Sequence, residues 1–112
     1  MESPEQQQVR ILLAEDDAAM RKAVKLNFVR EGWHVVEAEN GEEALARLER
    51  ESFDIVLMDV QMPFMDGIEC TRRVRAWERQ TARPRVHILA LSANGEDAAC
   101  VRDCREVGMD GI

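Results

Sequence analysis

Short apolar segments alternate with longer amphipathic segments along the chain. The apolar segments are rich in Val, Ile and Leu, which is typical of strands that a parallel sheet buries on both faces. The pattern therefore predicts four β-strands, at residues 9–14, 33–38, 54–58 and 86–91. Gly111 and Ile112 have the character of the first step of a fifth strand.

The segments between these strands have the periodicity of amphipathic helices, and Asp17 stands where a helix cap belongs. Helices are predicted at 17–31, 40–50 and 66–79, and a fourth follows Asn94 and Gly95 and ends at Gly108. In the first helix we expect one buried face and one basic, exposed face. The expected buried residues are Met20, Ala23, Val24, Asn27 and Phe28, and the expected exposed residues are Arg21, Lys22, Lys25 and Arg30.

Strands that alternate with helices of this length predict an α/β fold, a doubly wound parallel sheet with helices on both faces. The 112 residues are enough for one domain and too few for two. We assign this domain to residues 9–112. Residues 1–8 are polar, with one proline and three glutamines, and we expect them to form a disordered N-terminal arm.

Composition and charge narrow the class of function. The net charge is -7 and no basic run is present, so direct binding of nucleic acid is not expected. No apolar segment approaches the ~20 residues that span a bilayer, and no signal peptide opens the chain, so we expect no membrane contact by this domain. The three cysteines lack a zinc spacing, which favours a reduced, cytoplasmic protein.

Carboxylates follow the predicted strands at one edge of the sheet. Glu15 and Asp16 come after the first strand, Asp59 comes after the third, and the hydroxyl of Ser92 comes after the fourth. In doubly wound sheets the site lies at the carboxyl ends of the strands. Clustered negative charges raise one another's pKa, so these carboxylates predict a bound hard divalent cation. We predict that this cation is magnesium.

Four segments at this edge carry a resemblance to a known family. Residues 12–17, 58–67, 90–93 and 108–111 resemble, in order and spacing, the receiver domain of two-component signalling. The resemblance covers residues 9–112 and is closest to receivers of hybrid histidine kinases. It implies a flavodoxin-like receiver fold with strand order 2-1-3-4-5, and a phosphoacceptor regulatory domain in phosphorelay signalling rather than a conventional enzyme.

The resemblance also implies a role for each site residue. Asp59 would accept a phosphoryl group from a phosphohistidine and later lose it by slow autodephosphorylation. Asp16 would bind Mg²⁺ directly, Glu15 through water, and Asp59 and the backbone carbonyl of Gln61 would complete the protein ligands. Ser92 would donate a hydrogen bond to the phosphoryl group. The implied partners are a histidine kinase or histidine phosphotransfer domain, and an output domain or downstream protein.

The sequence departs from the family pattern at its C-terminal end. The family has a lysine at the end of the fifth strand, followed by a proline and a helix, and the chain ends before these at Ile112. We therefore expect a receiver that is incomplete at its C-terminus, with the last strand and helix missing. The apolar surface left exposed predicts self-association, for example as a homodimer.

Three other functions remain as alternatives. A degenerate receiver would bind partners without phosphorylation; the missing lysine favours this, whereas Asp59, Asp16 and Ser92 oppose it. A flavodoxin-like nucleotide or flavin binder would need a phosphate-binding loop where residues 15–17 are acidic. A phosphatase with an aspartyl nucleophile would need a second aspartate at the position of Gln61.

Overall fold

The computed structural model describes residues 8–91 and 98–111. Within them the predicted elements occur in the predicted order, and each strand boundary lies at the predicted residue or one residue away. The strands are β1 (Arg10–Ala14), β2 (His34–Ala38), β3 (Ile55–Asp59) and β4 (His87–Leu91). The helices are α1 (Ala18–Arg30), α2 (Gly41–Arg50), α3 (Gly67–Thr81) and α4 (Ala98–Val107). In these described ranges no helix has the length and apolarity needed to cross a membrane.

The four strands form one parallel sheet in the order β2-β1-β3-β4, which confirms the predicted fold class. After α4 the chain returns to the outer edge of β4. There the Ala90 N–H donates to the carbonyl oxygen of Gly111 at 2.8 Å, and Leu89 and Gly111 form a parallel bridge. This bridge is the predicted first step of a fifth strand.

Side chains that alternate along the strands build a core on each face of the sheet. Leu12, Val56 and Ile88 point to one face and pack in the cluster that also includes residues of α2, α3 and α4. Ile11, Leu13 and Leu57 point to the other face, where Val24 and Phe28 of α1 pack against them. Three methionines in and after β3 are buried in the first cluster, where they serve as packing residues; they are Met58, Met62 and Met65.

The predicted faces of α1 are partly wrong. Arg21, expected in solvent, is buried, whereas Met20, expected in the core, is 52% exposed. Ala23 and Asn27 are exposed as well, and of the predicted buried residues only Val24 and Phe28 pack against the core. The reason lies in two partners for the guanidinium of Arg21, a carboxylate on β2 and a carbonyl at the end of β1, which draw this basic residue inward.

A second buried arginine joins α3 to the segment after α4. The Arg75 guanidinium donates to Glu78 Oε1 at 2.9 Å, to Asp110 Oδ2 at 2.9 Å, to the Val86 carbonyl at 2.8 Å and to the Gly108 carbonyl at 2.8 Å. Its side chain is 5% exposed. These contacts join the residue before β4, the C-terminal half of α3 and residues 108–110 at the edge of the sheet.

Candidate functional site

Parallel pairing of β1 with β3 brings the acidic residues together. In the register of these two strands Ala14 lies opposite Met58, so Glu15 and Asp59 follow side by side at the carboxyl edge. One carboxylate oxygen each from Glu15, Asp16 and Asp59 lies within 4.8 Å of the other two. The structure thus brings together the three acidic side chains that the sequence proposed as a site.

The three carboxylates differ in exposure. Glu15 is only 4% exposed, Asp59 is half-buried and Asp16 is exposed. Burial, together with the nearby carboxylates of Asp59 and Asp16, raises the pKa of Glu15 to about 7, against the opposing hydrogen bond from the Asp17 N–H. Burial and the charge of Asp16 also raise the pKa of Asp59, although the Gln61 N–H and Glu15 oppose the rise. Glu15 and Asp59 are therefore protonated more readily than isolated carboxyl groups, because both are removed from water beside other carboxylates.

Raised pKa values in clustered carboxylates indicate that their negative charges repel one another and are destabilised without a cation. Oxygen atoms of carboxylates are the ligands that hard divalent cations prefer, and such a cation takes the place of the proton. The three carboxylates fit a site of this kind by their chemistry and by their separation.

Backbone hydrogen bonds hold two of the carboxylates in place. The Gln61 N–H donates to Asp59 Oδ1 at 3.1 Å, and the Asp17 N–H donates to Glu15 Oε1 at 3.0 Å. Asp17 itself accepts from the Met20 N–H at 3.0 Å, which confirms it as the cap of α1. The role of the Gln61 carbonyl as a ligand stays a prediction, whereas its N–H already orients Asp59.

A close backbone approach fixes the loop between β3 and α3. The Gly67 N–H donates to the Val60 carbonyl at 2.9 Å, which closes a loop of residues 60–67. A Cβ atom on Gly67 would lie 2.2 Å from the carbonyl oxygen of Asp59, so only glycine permits this approach. At the tip of the loop Phe64 is 86% exposed and has a φ of 67°. The sequence prediction did not identify this strained aromatic residue or the close approach, although the Asp-Gly pair at the start of α3 hinted at the latter.

Ser92 lies outside the described residues, so its predicted contact with the phosphoryl group remains a prediction. The strand that leads to it ends beside the site, since Leu91 pairs with Asp59 in the register of β3 and β4. The Val60 N–H also donates to the Leu91 carbonyl at 3.2 Å. The chain therefore leaves β4 next to Asp59.

Arg21 is the residue near this site that the sequence prediction misplaced. Its Nη1 atom donates to the Glu15 carbonyl at 2.8 Å, and its Nε atom donates to Glu37 Oε1 at 3.1 Å. Glu37, a charged residue inside β2, was the signal in the sequence that could have indicated this contact. A charged side chain in a half-buried strand needs a partner of opposite charge.

Comparison with known proteins gives consistent matches. The family described as the response regulator receiver domain matches residues 11–112. Hybrid signal transduction histidine kinase A of Dictyostelium discoideum is 41% identical over 104 residues, which are 92% of this chain and 5% of that protein. The chain thus spans a small part of this relative.

Two solved structures illustrate the likeness of fold. The receiver domain of sensor histidine kinase PA1611 from Pseudomonas aeruginosa, with a magnesium ion coordinated in its active site cleft, has a TM-score of 0.81 at 32% identity and covers 93% of this chain and 82% of that one. The receiver domain of Ssk1 from Saccharomyces cerevisiae, in complex with the histidine phosphotransfer protein Ypd1, has a TM-score of 0.81 at 25% identity, with 93% and 76% covered.

Proposed function

Because the chain belongs to the response regulator receiver domain family of phosphorelay signalling, we propose that Asp59 accepts a phosphoryl group from a phosphohistidine. The observation that carries this proposal is the position of Asp59. It is half-buried at the end of β3, and one carboxylate oxygen each of Glu15 and Asp16 lies within 4.8 Å of an oxygen of Asp59. A lone helix cap or turn residue would need no such neighbours. A nucleophile for an anionic group does, because they recruit the cation that neutralises the charge.

We propose Mg²⁺ as that cation, held by Asp16, Asp59 and the backbone carbonyl of Gln61, with Glu15 bound through water. The raised pKa of Glu15, about 7, supports a cation, since a buried carboxylate gives up its proton to one. The magnesium ion in the related PA1611 receiver supports the choice of metal. When bound, Mg²⁺ would neutralise the carboxylates and the phosphoryl oxygens, which lets two anions approach.

The chain's own groups orient the attack. One oxygen of the Asp59 carboxylate attacks phosphorus in line with the leaving imidazole nitrogen; a P–O bond forms, the P–N bond breaks, and its electron pair stays on the nitrogen. The Gln61 N–H holds Asp59 Oδ1 at 3.1 Å and so restrains the carboxylate. After transfer, we propose that Ser92 donates a hydrogen bond to a phosphoryl oxygen, which would shift the loop after β4.

The partners we propose follow from this chemistry. The phosphoryl donor is a histidine kinase or a histidine phosphotransfer protein, and the complex of the Ssk1 receiver with Ypd1 supports the second class. Phosphorylation then switches binding to an output domain or a downstream protein. We propose the cytoplasm as the location of this activity, because three cysteines, an odd number, do not make the disulfide framework of a small secreted domain.

Mass spectrometry of the intact chain tests the phosphoacceptor. Incubation with a small phosphodonor and Mg²⁺ should add one phosphoryl group to the wild-type protein and none to Asp59→Asn. The matched control is Asp54→Asn, which removes the same charge just before the opposite end of β3, where Asp54 accepts from the Arg10 N–H at 2.8 Å. This control should still be phosphorylated. An adduct that persists in Asp59→Asn would refute the assignment, and a wild-type protein that takes up no phosphate would favour a phosphate-independent binding module.

A further inference from the structure

Arg21 connects the candidate site to β2 through contacts that neither the motif nor the proposed reaction requires. Its side chain is 11% exposed, although it lies in the first turns of a surface helix. Besides the hydrogen bonds to the Glu15 carbonyl and Glu37, its Nη2 atom lies 3.7 Å from Glu39 Oε1. One planar guanidinium therefore joins three segments of chain: the end of β1, β2, and the turn after β2.

The bond to the Glu15 carbonyl acts on the site itself. The Glu15 N–H is held by the Ala38 carbonyl at 3.1 Å, and the Glu15 C=O is held by Arg21 at 2.8 Å. A peptide unit is planar, so a hydrogen bond to the Glu15 carbonyl restrains ψ of Glu15 and φ of Asp16 together. These are the two residues whose carboxylates face Asp59.

Glu37 keeps the guanidinium in position. Burial raises the pKa of Glu37, but hydrogen bonds from Lys25 and Arg21 outweigh burial and hold the pKa below its usual value. Lys25 Nζ donates to Glu37 Oε2 at 3.1 Å, so Glu37 has one basic partner on each oxygen. Removal of either basic residue leaves Glu37 with the other as its partner. Of the two basic residues, Arg21 is the one that also bonds to the Glu15 carbonyl.

We propose that Arg21 is a positioning residue for the carboxylate site: its guanidinium, oriented by Glu37, locks the Glu15–Asp16 peptide so that both side chains are set for a divalent cation. The proposal rests on the proposed function, because it takes the three carboxylates as the Mg²⁺ site. Residues that orient metal ligands contribute about 10- to 100-fold to metal affinity in proteins. Lysine is a poor substitute, since a single ammonium group lacks the planar fork that bonds two acceptors at fixed angles.

The test compares Arg21→Met with Lys25→Met in the full chain. Both variants remove one positive charge and one partner of Glu37, and only Arg21→Met removes the bond to the Glu15 carbonyl. Calorimetric titration with Mg²⁺ should give a Kd raised about tenfold in Arg21→Met and less than about twofold in Lys25→Met. In the metal-free protein, hydrogen exchange at the Asp17 amide should accelerate in Arg21→Met alone, because that amide bonds to the Glu15 side chain.

Equal shifts of Kd in the two variants would overturn the proposal. They would mean that Arg21 affects Mg²⁺ binding only through its positive charge, as Lys25 does. If Arg21→Met does not fold, Arg21→Lys decides in its place: a Kd raised severalfold supports the proposal, and a Kd within about twofold of wild type overturns it. A wild-type protein that binds no Mg²⁺ would overturn the proposed function, and the proposal with it. If the wild-type protein binds Mg²⁺ and Arg21→Met binds it with the same affinity, only the positioning role of Arg21 is overturned.

Discussion

The raised pKa of Glu15 predicts that the metal-free protein becomes less stable as the pH rises from about 5 to about 8. An unfolded chain ionises this carboxyl near its ordinary pKa of 4.5, whereas the folded protein holds it at about 7. In between, the folded state binds more protons than the unfolded state, so the free energy of unfolding falls with pH. The stability contribution is complete below the unfolded pKa and is lost as the pH passes through the folded one.

The magnitude follows from the two pKa values. Integrated from about pH 5 to about pH 8, this single group lowers the free energy of unfolding by about 2.5 kcal/mol. Asp59 acts in the same direction, because burial raises its pKa as well. The lowered pKa values of Glu37 and Asp110 act in the opposite direction, but only at pH values below this range. Mg²⁺ should reverse the loss, since it binds the folded site and displaces the proton.

Urea unfolding followed by the fluorescence of Trp33 and Trp77 measures this effect. The assay runs at several pH values, with a chelator and then with excess Mg²⁺. The control variant Glu15→Gln keeps the shape of the side chain and cannot titrate, so its stability should depend far less on pH. Equal pH dependence of stability in the wild type and Glu15→Gln would refute the assignment of this effect to Glu15. Stability that rises with pH in the metal-free wild type would refute the sign of the argument.

Three further predictions concern single residues. Asp16→Asn should weaken Mg²⁺ binding more than about tenfold by calorimetry, because it removes a charged ligand; unchanged affinity would place the cation elsewhere. Gly67→Ala should lower the free energy of unfolding in urea by about 2–3 kcal/mol, because its Cβ would meet the Asp59 carbonyl at 2.2 Å, and an unchanged midpoint would contradict this close approach. Arg75→Met should cost about 3 kcal/mol in the same assay, since the buried Glu78 loses its basic partner, whereas Asp110 keeps Arg85. The exposed Arg72→Met should leave the midpoint almost unchanged, and similar losses in the two variants would be the contrary result.

Local pattern was sufficient to predict the acidic site. Apolar runs ending in Glu15–Asp16 and in Asp59 identify two strand ends, and parallel sheets of this class place strand ends at one edge. The strand register then brings these two strand ends together, because β1 and β3 pair directly, with Ala14 opposite Met58. The proximity of the three carboxylates follows from rules that depend only on the order of elements along the chain.

Those rules could not predict which side chains are buried around the site. Helical periodicity assigned Arg21 to solvent and Met20 to the core, and the structure reverses both. Helical periodicity takes account of polarity alone, whereas the packing of α1 on the sheet depends on a carboxylate of β2 and on the carbonyl of Glu15, the residue after β1. The same holds for Arg75, whose partner Asp110 lies 35 residues away in the chain.

The sequence by itself determined the kinds of elements, their order, and the strand ends at which the carboxylates stand. Only the tertiary structure decided that Glu15 is buried beside Asp59, which raises its pKa, and that Arg21 and Arg75 lie inside the fold. The physical reason is that secondary structure depends on neighbours a few residues away, whereas desolvation and ion pairing depend on distances between segments remote along the chain.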